Sequence, residues 1–414
     1  MLKDAAILCF APDPWDDLWR NRHQIMSRLA RQNMVLYVEP RPYLRDMIKQ
    51  LGLLWHSRQA GPRRCASTNK RLRRVALGGG SEPEEDGKGL FVYHPPWYAP
   101  LSGREPLRTL TDTVRTASLR GALRRLGMHR PILWLFRPEM ADVPGRYGER
   151  LLIYHIVDEY AGYAGLDIVR ARAIRERECR LIEQADLVLV TSRALLESKG
   201  YINPNTHWVP NGVDYERFAL ATIAHREPAM LSGLPHPRIG YIGAINDKVD
   251  IGLLERVALA YPCAALVLVG PVGMTLEGNR HAIARLQTKP NVFFAGQVPV
   301  ENVPHWMAAC DIGLLPYVEN EWTRHIHPLK LYEYLACGLP VVSSDIPSVW
   351  DEAAVIRIAK GSDEFIHAVG VALAEDTTEQ ARARRQARAA ANTWEQRVER
   401  ISELIQTTEA SGSE

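Results

Sequence analysis

The chain has 414 residues, 46% apolar and 24% charged, an ordinary globular composition long enough for two domains of roughly 100–200 residues. No apolar run approaches the roughly 20 residues a membrane span needs, so a spanning protein is excluded at this level. Net charge is only +3, yet residues 1–150 carry 26 Lys/Arg against 15 Asp/Glu and residues 151–414 carry 25 against 33. That asymmetry suits an anionic surface or partner for the first half, and equally suits arginine-rich, solvated helix faces.

In chain order, Ala5–Ala11 is short, apolar and without a cleavage-site pattern, which predicts a first buried strand rather than a signal peptide. Asn21–Arg31 predicts a helix with Ile25, Met26 and Leu29 on one face, and Met34–Val38 a strand stopped by Pro40. Tyr43–Arg58 places Leu44, Met47, Ile48, Leu51, Leu54 and Trp55 on one helical stripe beside Arg45, Lys49 and Arg58. This is either a core helix or one lying in an anionic membrane interface. The stretch 57–89, with its basic run, Gly78–Gly80 and acidic patch, reads largely as a surface loop. Strands follow at Leu90–Tyr93, Ile132–Phe136, Leu151–Val157 and Leu187–Thr191, with helices at Leu107–Leu126 and Asp167–Gln184. Short all-apolar strands alternating with helices mean a parallel sheet covered on both faces.

At Asn211-Gly212 a turn signal opens an irregular stretch, Glu216–Pro237, containing three prolines. A second alternation then begins. Strands are predicted at Ile239–Gly243, Ala265–Gly270, Val292–Ala295, Asp311–Leu315 and Pro340–Ser343, and helices at Val249–Ala260, Glu301–Ala309 and Leu329–Cys337. Thr378–Gln406 is helical in pattern, with Trp394, Val398, Ile401, Leu404 and Ile405 at core spacing and a frayed end. The expected organisation is α/β: a Rossmann-like domain over 1–210, a linker over 211–237, a second Rossmann-like domain over 238–391, and a C-terminal helix and tail over 392–414. Doubly wound sheets bind ligands at the carboxyl ends of their strands.

Six scattered cysteines, with no C-x-x-C pair, fit a reduced cytoplasmic protein and give no metal site. No Asp-x-Asp and no strand-following G-x-G-x-x-G occur, which argues against metal-dependent single-domain transferases and nicotinamide dehydrogenases. The most informative stretch is Leu314–Pro347, LLPYVENEWTRHIHPLKLYEYLACGLPVVSSDIP. Pro328 suits a first helical turn and Gly338 a helix C′ position. A helix start carrying Lys330 attracts phosphate, and Glu333, three residues on, shares its face. A cation can hold diphosphate while a carboxylate accepts from ribose hydroxyls; alone, the pair also fits a surface ion pair.

The segment PLKLYEYLACGLPVV resembles the donor-binding motif of GT-B glycosyltransferases of the broad group 1 type, and most closely the branch with teichuronic-acid-type and xanthan-type polysaccharide transferases. ADLVLVTSRAL at 185–195, HWVPNGVDYERF at 207–218, RIGYIGAINDKVD at 238–250 and NVFFAGQVPVENVPHWMAACDIGLLPY at 291–317 are similar to the same family. The resemblance covers most of 130–350. It implies a nucleotide-sugar donor, with UDP expected from its frequency among such enzymes, and a glycan or lipid-linked acceptor bound by the first domain. No metal or cofactor is implied, and a peripheral place at an anionic inner membrane face stays open. It further implies that Glu333 binds ribose, that Lys330 binds diphosphate with His327 near it, and that Gly243 and Lys248 lie by the phosphates. Tyr317 and the loop Asn320–Arg324 should lie near the donor sugar, and Gly296–Val298 near the base.

Three departures matter. His325 stands where retaining members carry a first glutamate, Ala244 where many carry arginine, and PDPWDDLW at 12–19 where many carry a glycine pair. An inverting transfer then needs a base, and Asp158, just past the strand Leu151–Val157, is the candidate, with Glu159 second. A sugar-nucleotide 2-epimerase or a non-catalytic nucleotide-binding subunit would share the donor site.

Overall fold

The computed structural model describes residues 1–41, 71–76, 88–101, 105–224, 226–375 and 378–411. The amphipathic stretch Tyr43–Arg58 lies outside the described residues, as does most of the loop expected over 57–89. The chain forms two compact units. The first comprises Met1–His155, Arg180–Val188 and Ile401–Glu414; the second comprises Ile156–Cys179 and Leu189–Arg400.

The first sheet is built from β1 (Ala6–Phe10), β2 (Met34–Val38), β3 (Leu72–Val75), β4 (Gly89–Tyr93), β5 (Ile132–Leu135), β6 (Leu151–Ile156), β7 (Leu187–Val190) and β8 (Thr206–Trp208). Its order is β3-β4-β2-β1-β5-β6-β7-β8. The pairs β1–β2, β1–β5, β2–β4 and β5–β6 are parallel. Buried β-branched and leucine side chains run along both faces of these strands, as a sheet covered on two sides requires. The helix Asn21–Leu29 covers one face with Ile25, Met26 and Leu29, all buried as expected.

β3 corrects the loop reading: Leu72–Val75 pairs antiparallel with β4. Its arginines keep their charges outward, Arg73 on Asp16 at 2.7 Å and Arg74 over the Phe91 ring at 5.7 Å. A charged edge strand protects against pairing with other chains and shows little hydrophobic period.

The second sheet uses β9 (Arg238–Ile242), β11 (Ala265–Val269), β13 (Val292–Gly296), β14 (Ile312–Leu315), β15 (Val341–Ser344) and β16 (Arg357–Ala359), in the order β13-β11-β9-β14-β15-β16. Every pair in it is parallel. A two-residue pair, β10 (Ile245–Asn246) with β12 (Val272–Gly273), extends past the ends of β9 and β11. The chain winds outward from β9 in one direction and from β14 in the other, so the strand order reverses between them. That reversal opens a crevice at the carboxyl ends of β9 and β14.

Two further readings are corrected. The stretch expected to be irregular holds a helix, Tyr215–Ala224, which buries Phe218 and Ala221 one turn apart; all three prolines come after it. The helical tail is two helices, Glu379–Ala390 and Trp394–Ser411. Between them the chain passes Gly212, where an added Cβ would sit 2.8 Å from the Thr393 carbonyl carbon. The residues of the predicted tail stripe are all buried. The five described cysteines are free, and no helix among the described residues is long and apolar enough to cross a membrane.

Candidate donor site

Helix Leu329–Ala336 starts at Pro328, which lacks the N–H that a helix start leaves unpaired. It ends in a Schellman motif: the Gly338 N–H donates to Leu335 O at 2.9 Å and the Leu339 N–H to Tyr334 O at 3.1 Å, with Gly338 at φ 73°. Tyr334, opposite Gly313, fixes the helix on the sheet: its ring lies where a Cβ of Gly313 would be, at 2.6 Å. Its hydroxyl accepts from the Ile242 N–H at 2.9 Å. The helix start is thereby set against the end of β9.

Lys330 is buried, and its ammonium donates to the hydroxyls of Tyr241 and Tyr317, each at 3.3 Å. It also lies 4.5 Å from the Tyr241 ring centre. A Cβ on Gly243 would fall 2.5 Å from Lys330 Nζ, and Gly243 sits at φ 145°. Only glycine allows the turn and this approach of an ammonium to the backbone. Gly270, at the end of β11, repeats the arrangement: a Cβ there would sit 2.2 Å from the Gly243 carbonyl oxygen. The Gly270 N–H donates to Gly296 O at 2.8 Å, so the ends of β9, β11 and β13 close on one another. Lys248 Nζ stands 5.7 Å over the Tyr317 ring, and Val318 N donates to Lys248 O at 3.0 Å.

Glu333 is partly buried one turn on from Lys330, and its carboxylate accepts no hydrogen bond among the described residues. Burial pushes its pKa up to about 7, opposed by Lys330 and Arg217. An acceptor held without donors inside a polar crevice is set for donors supplied by a ligand. His327 is placed differently. Its ring packs 5.8 Å from Tyr332, its carbonyl accepts from Asn211 at 2.7 Å, and burial lowers its pKa to about 3, so it is neutral.

The loop after β14 is a short helix, Glu321–His325, capped by Asn320, whose side chain accepts from Thr323 N at 2.9 Å. Arg324 is exposed and makes no side-chain hydrogen bond among the described residues, whereas His325 is buried with Nδ1 2.8 Å from Glu321 O. Trp322 packs on Tyr163 with ring centres 4.9 Å apart, and Tyr163 donates to Asp158 Oδ2 at 2.9 Å. The second unit thus gathers Asp158 and the Asn320–Arg324 loop. Glu159 points elsewhere, buried and paired with Lys199 at 2.8 Å beside Glu178.

Tyr241, Gly270 and Tyr163 were not singled out from sequence; Trp322 falls in the expected Asn320–Arg324 loop. Tyr241 had the one usable signal, standing two residues before Gly243 and so on the same face of β9.

The second unit is a doubly wound sheet with a cation and a carboxylate on the helix at its switch point. Residues 236–376 match the family described as Glycosyl transferases group 1, so the second unit carries a domain of that family. Over 260 residues the chain is 30% identical to TuaH of Bacillus subtilis (strain 168), a glycosyltransferase assigned to teichuronic acid biosynthesis. That alignment spans 61% of this chain and 63% of TuaH, less than two thirds of the relative's length. Among solved structures, sucrose-phosphate synthase from Thermosynechococcus elongatus superposes with a TM-score of 0.71 at 16% identity, covering 98% of this chain and 100% of that one. Anabaena HepE in complex with UDP and glucose gives 0.63 at 16% identity, covering 97% and 99%. These likenesses establish the fold.

Proposed function

We propose that the protein transfers a sugar from a UDP-sugar to a glycan or lipid-linked acceptor in bacterial polysaccharide or glycoconjugate synthesis. The observation that carries this is the Lys330–Glu333 pair at the switch point, its ammonium against Gly243 and its carboxylate without a donor. In this reading Lys330, with Lys248 near it, neutralises the leaving diphosphate, and Glu333 accepts from the ribose hydroxyls. Tyr317 and the loop around Asn320 border the sugar; His327 supports the helix start through its backbone and ring. Positive charge at the phosphates comes from side chains and helix N–H groups, so turnover proceeds without a metal. The match to the group 1 family and the UDP complex of a structural neighbour support the choice of donor.

Asp158 takes the acceptor hydroxyl's proton as that oxygen attacks the anomeric carbon, and the nucleoside diphosphate leaves with the bonding electrons. The outcome is inversion, which agrees with His325 replacing the first glutamate of retaining members. The basic first 150 residues are suited to meeting acceptors at an anionic inner membrane face.

The test is calorimetry with UDP. Lys330→Ala and Glu333→Ala should each weaken binding by about 1.5–3 kcal/mol, as for hydrogen bonds to charged groups. Unchanged affinity in both folded variants would remove the assignment. A thermal-shift comparison of UDP-, GDP- and dTDP-sugars then identifies the nucleotide.

A further inference from the structure

The first unit holds a group of cations that the donor chemistry leaves unused. Arg41, just past the end of β2, donates to Ala99 O at 2.9 Å, and its Nε is buried without a partner. Arg115, on helix Leu107–Arg125, donates to the neighbouring Pro100 O at 3.1 Å. Arg115 lies close enough to Arg41 that its charge joins burial in lowering the Arg41 pKa to about 9. Arg71, just before β3, donates to Tyr98 at 2.9 Å and reaches Ser118, which accepts from Tyr93 at 2.7 Å. Tyr93, the last residue of β4, feels both Arg41 and Arg71.

The nearby carboxylate is Asp112, already bound by Arg115 and Arg146. Arg41 and Arg71 have no carboxylate at ion-pair distance among the described residues. The Arg41 guanidinium, partly withdrawn from water and crowded by Arg115, is offset only in part by Asp112, and is costly to hold there unless an anion joins it. The group lies at the carboxyl ends of β2 and β4, the same end of the sheet as the crevice between β1 and β5. Planar guanidinium forks beside the Tyr93 and Ser118 hydroxyls match the oxygens of a phosphate or carboxylate.

We infer that Arg41 and Arg71, supported by Arg115, Tyr93 and Ser118, form a second anion site in the first unit, which receives a phosphate or carboxylate group of the acceptor. This rests on the transferase reading above, and the experiment separates the two. Inorganic pyrophosphate is titrated by thermal shift into Lys330→Ala protein, whose donor site is disabled. Stabilisation should persist there. It should need about tenfold more pyrophosphate or worse once Arg41→Gln is added, the loss expected for one charged hydrogen-bonding partner. Arg71→Gln, at an exposed residue, should weaken it too and reports even if Arg41→Gln fails to fold. Arg41→Lys should recover part of the effect. Glucuronate in place of pyrophosphate, with glucose as the neutral control, distinguishes sources. A response to pyrophosphate alone assigns an acceptor phosphate, and a response to glucuronate but not glucose assigns a carboxylate sugar. Loss of all anion response in Lys330→Ala protein overturns the second site while leaving the donor site standing. An undiminished response in both arginine variants overturns it as well.

Discussion

In the proposed donor site, Glu333 would couple binding to pH. Burial holds its carboxyl protonated up to about pH 7 in the folded chain, whereas an unfolded glutamate titrates near 4.3. A raised carboxyl pKa gives stability that is full below the unfolded value and lost as pH rises through the folded one. If Glu333 accepts from ribose as proposed, the ionised form is the binding one, and UDP should bind more tightly as pH climbs from 6 to 8. Glu333→Gln, which cannot ionise, should remove that component from the calorimetric pH profile; parallel profiles for parent and variant would exclude it. Asp158 is tested by rate. Asp158→Asn keeps the shape and the Tyr163 contact but cannot take a proton, so kcat should fall by about 10²–10⁴-fold with UDP affinity little changed. Full turnover would make Asp158 a loop residue and return attention to a retaining path.

At the scale of elements, the turn after β9 is the sensitive joint. Gly243→Ala would put a methyl carbon on the Lys330 ammonium at a φ of 145°, so the lysine must leave its two tyrosines. We expect a stability loss of about 1–3 kcal/mol by denaturant titration, accompanied by weaker UDP binding. The same joint shows what sequence reading can and cannot reach. Local pattern marks the start of the helix that carries Lys330 and Glu333, and the resemblance, rather than spacing, singles out Gly243 and Tyr317. Tyr241 carries no local mark of its own, because its contact is with Lys330, 89 positions along the chain. Helix Tyr215–Ala224 was hidden by the prolines that follow it, and β3 by its own arginines, which serve an edge better than a core. The packing of His327 against Tyr332 follows from which side of the helix start the ring takes, and spacing does not encode that.

At the scale of the whole molecule, neither unit is one continuous stretch of chain. Met1–His155 is completed by Arg180–Val188 and by Ile401–Glu414, where Ile401, Leu404 and Ile405 are buried and Glu409 pairs with Arg150. Burying three such side chains is worth about 1.5–3 kcal/mol each, a large part of a typical domain's stability. Removing residues 401–414 should therefore lower the melting temperature and speed hydrogen exchange in β1, β5 and β6 before β9 or β14; uniform protection would contradict this. The same threading sets an order of assembly on the ribosome. The unit that begins first cannot be finished until residues 401–414 have been made. Until then its strands wait with part of their cover missing, while the second sheet, whose own strands end at Ala359, can close ahead of it.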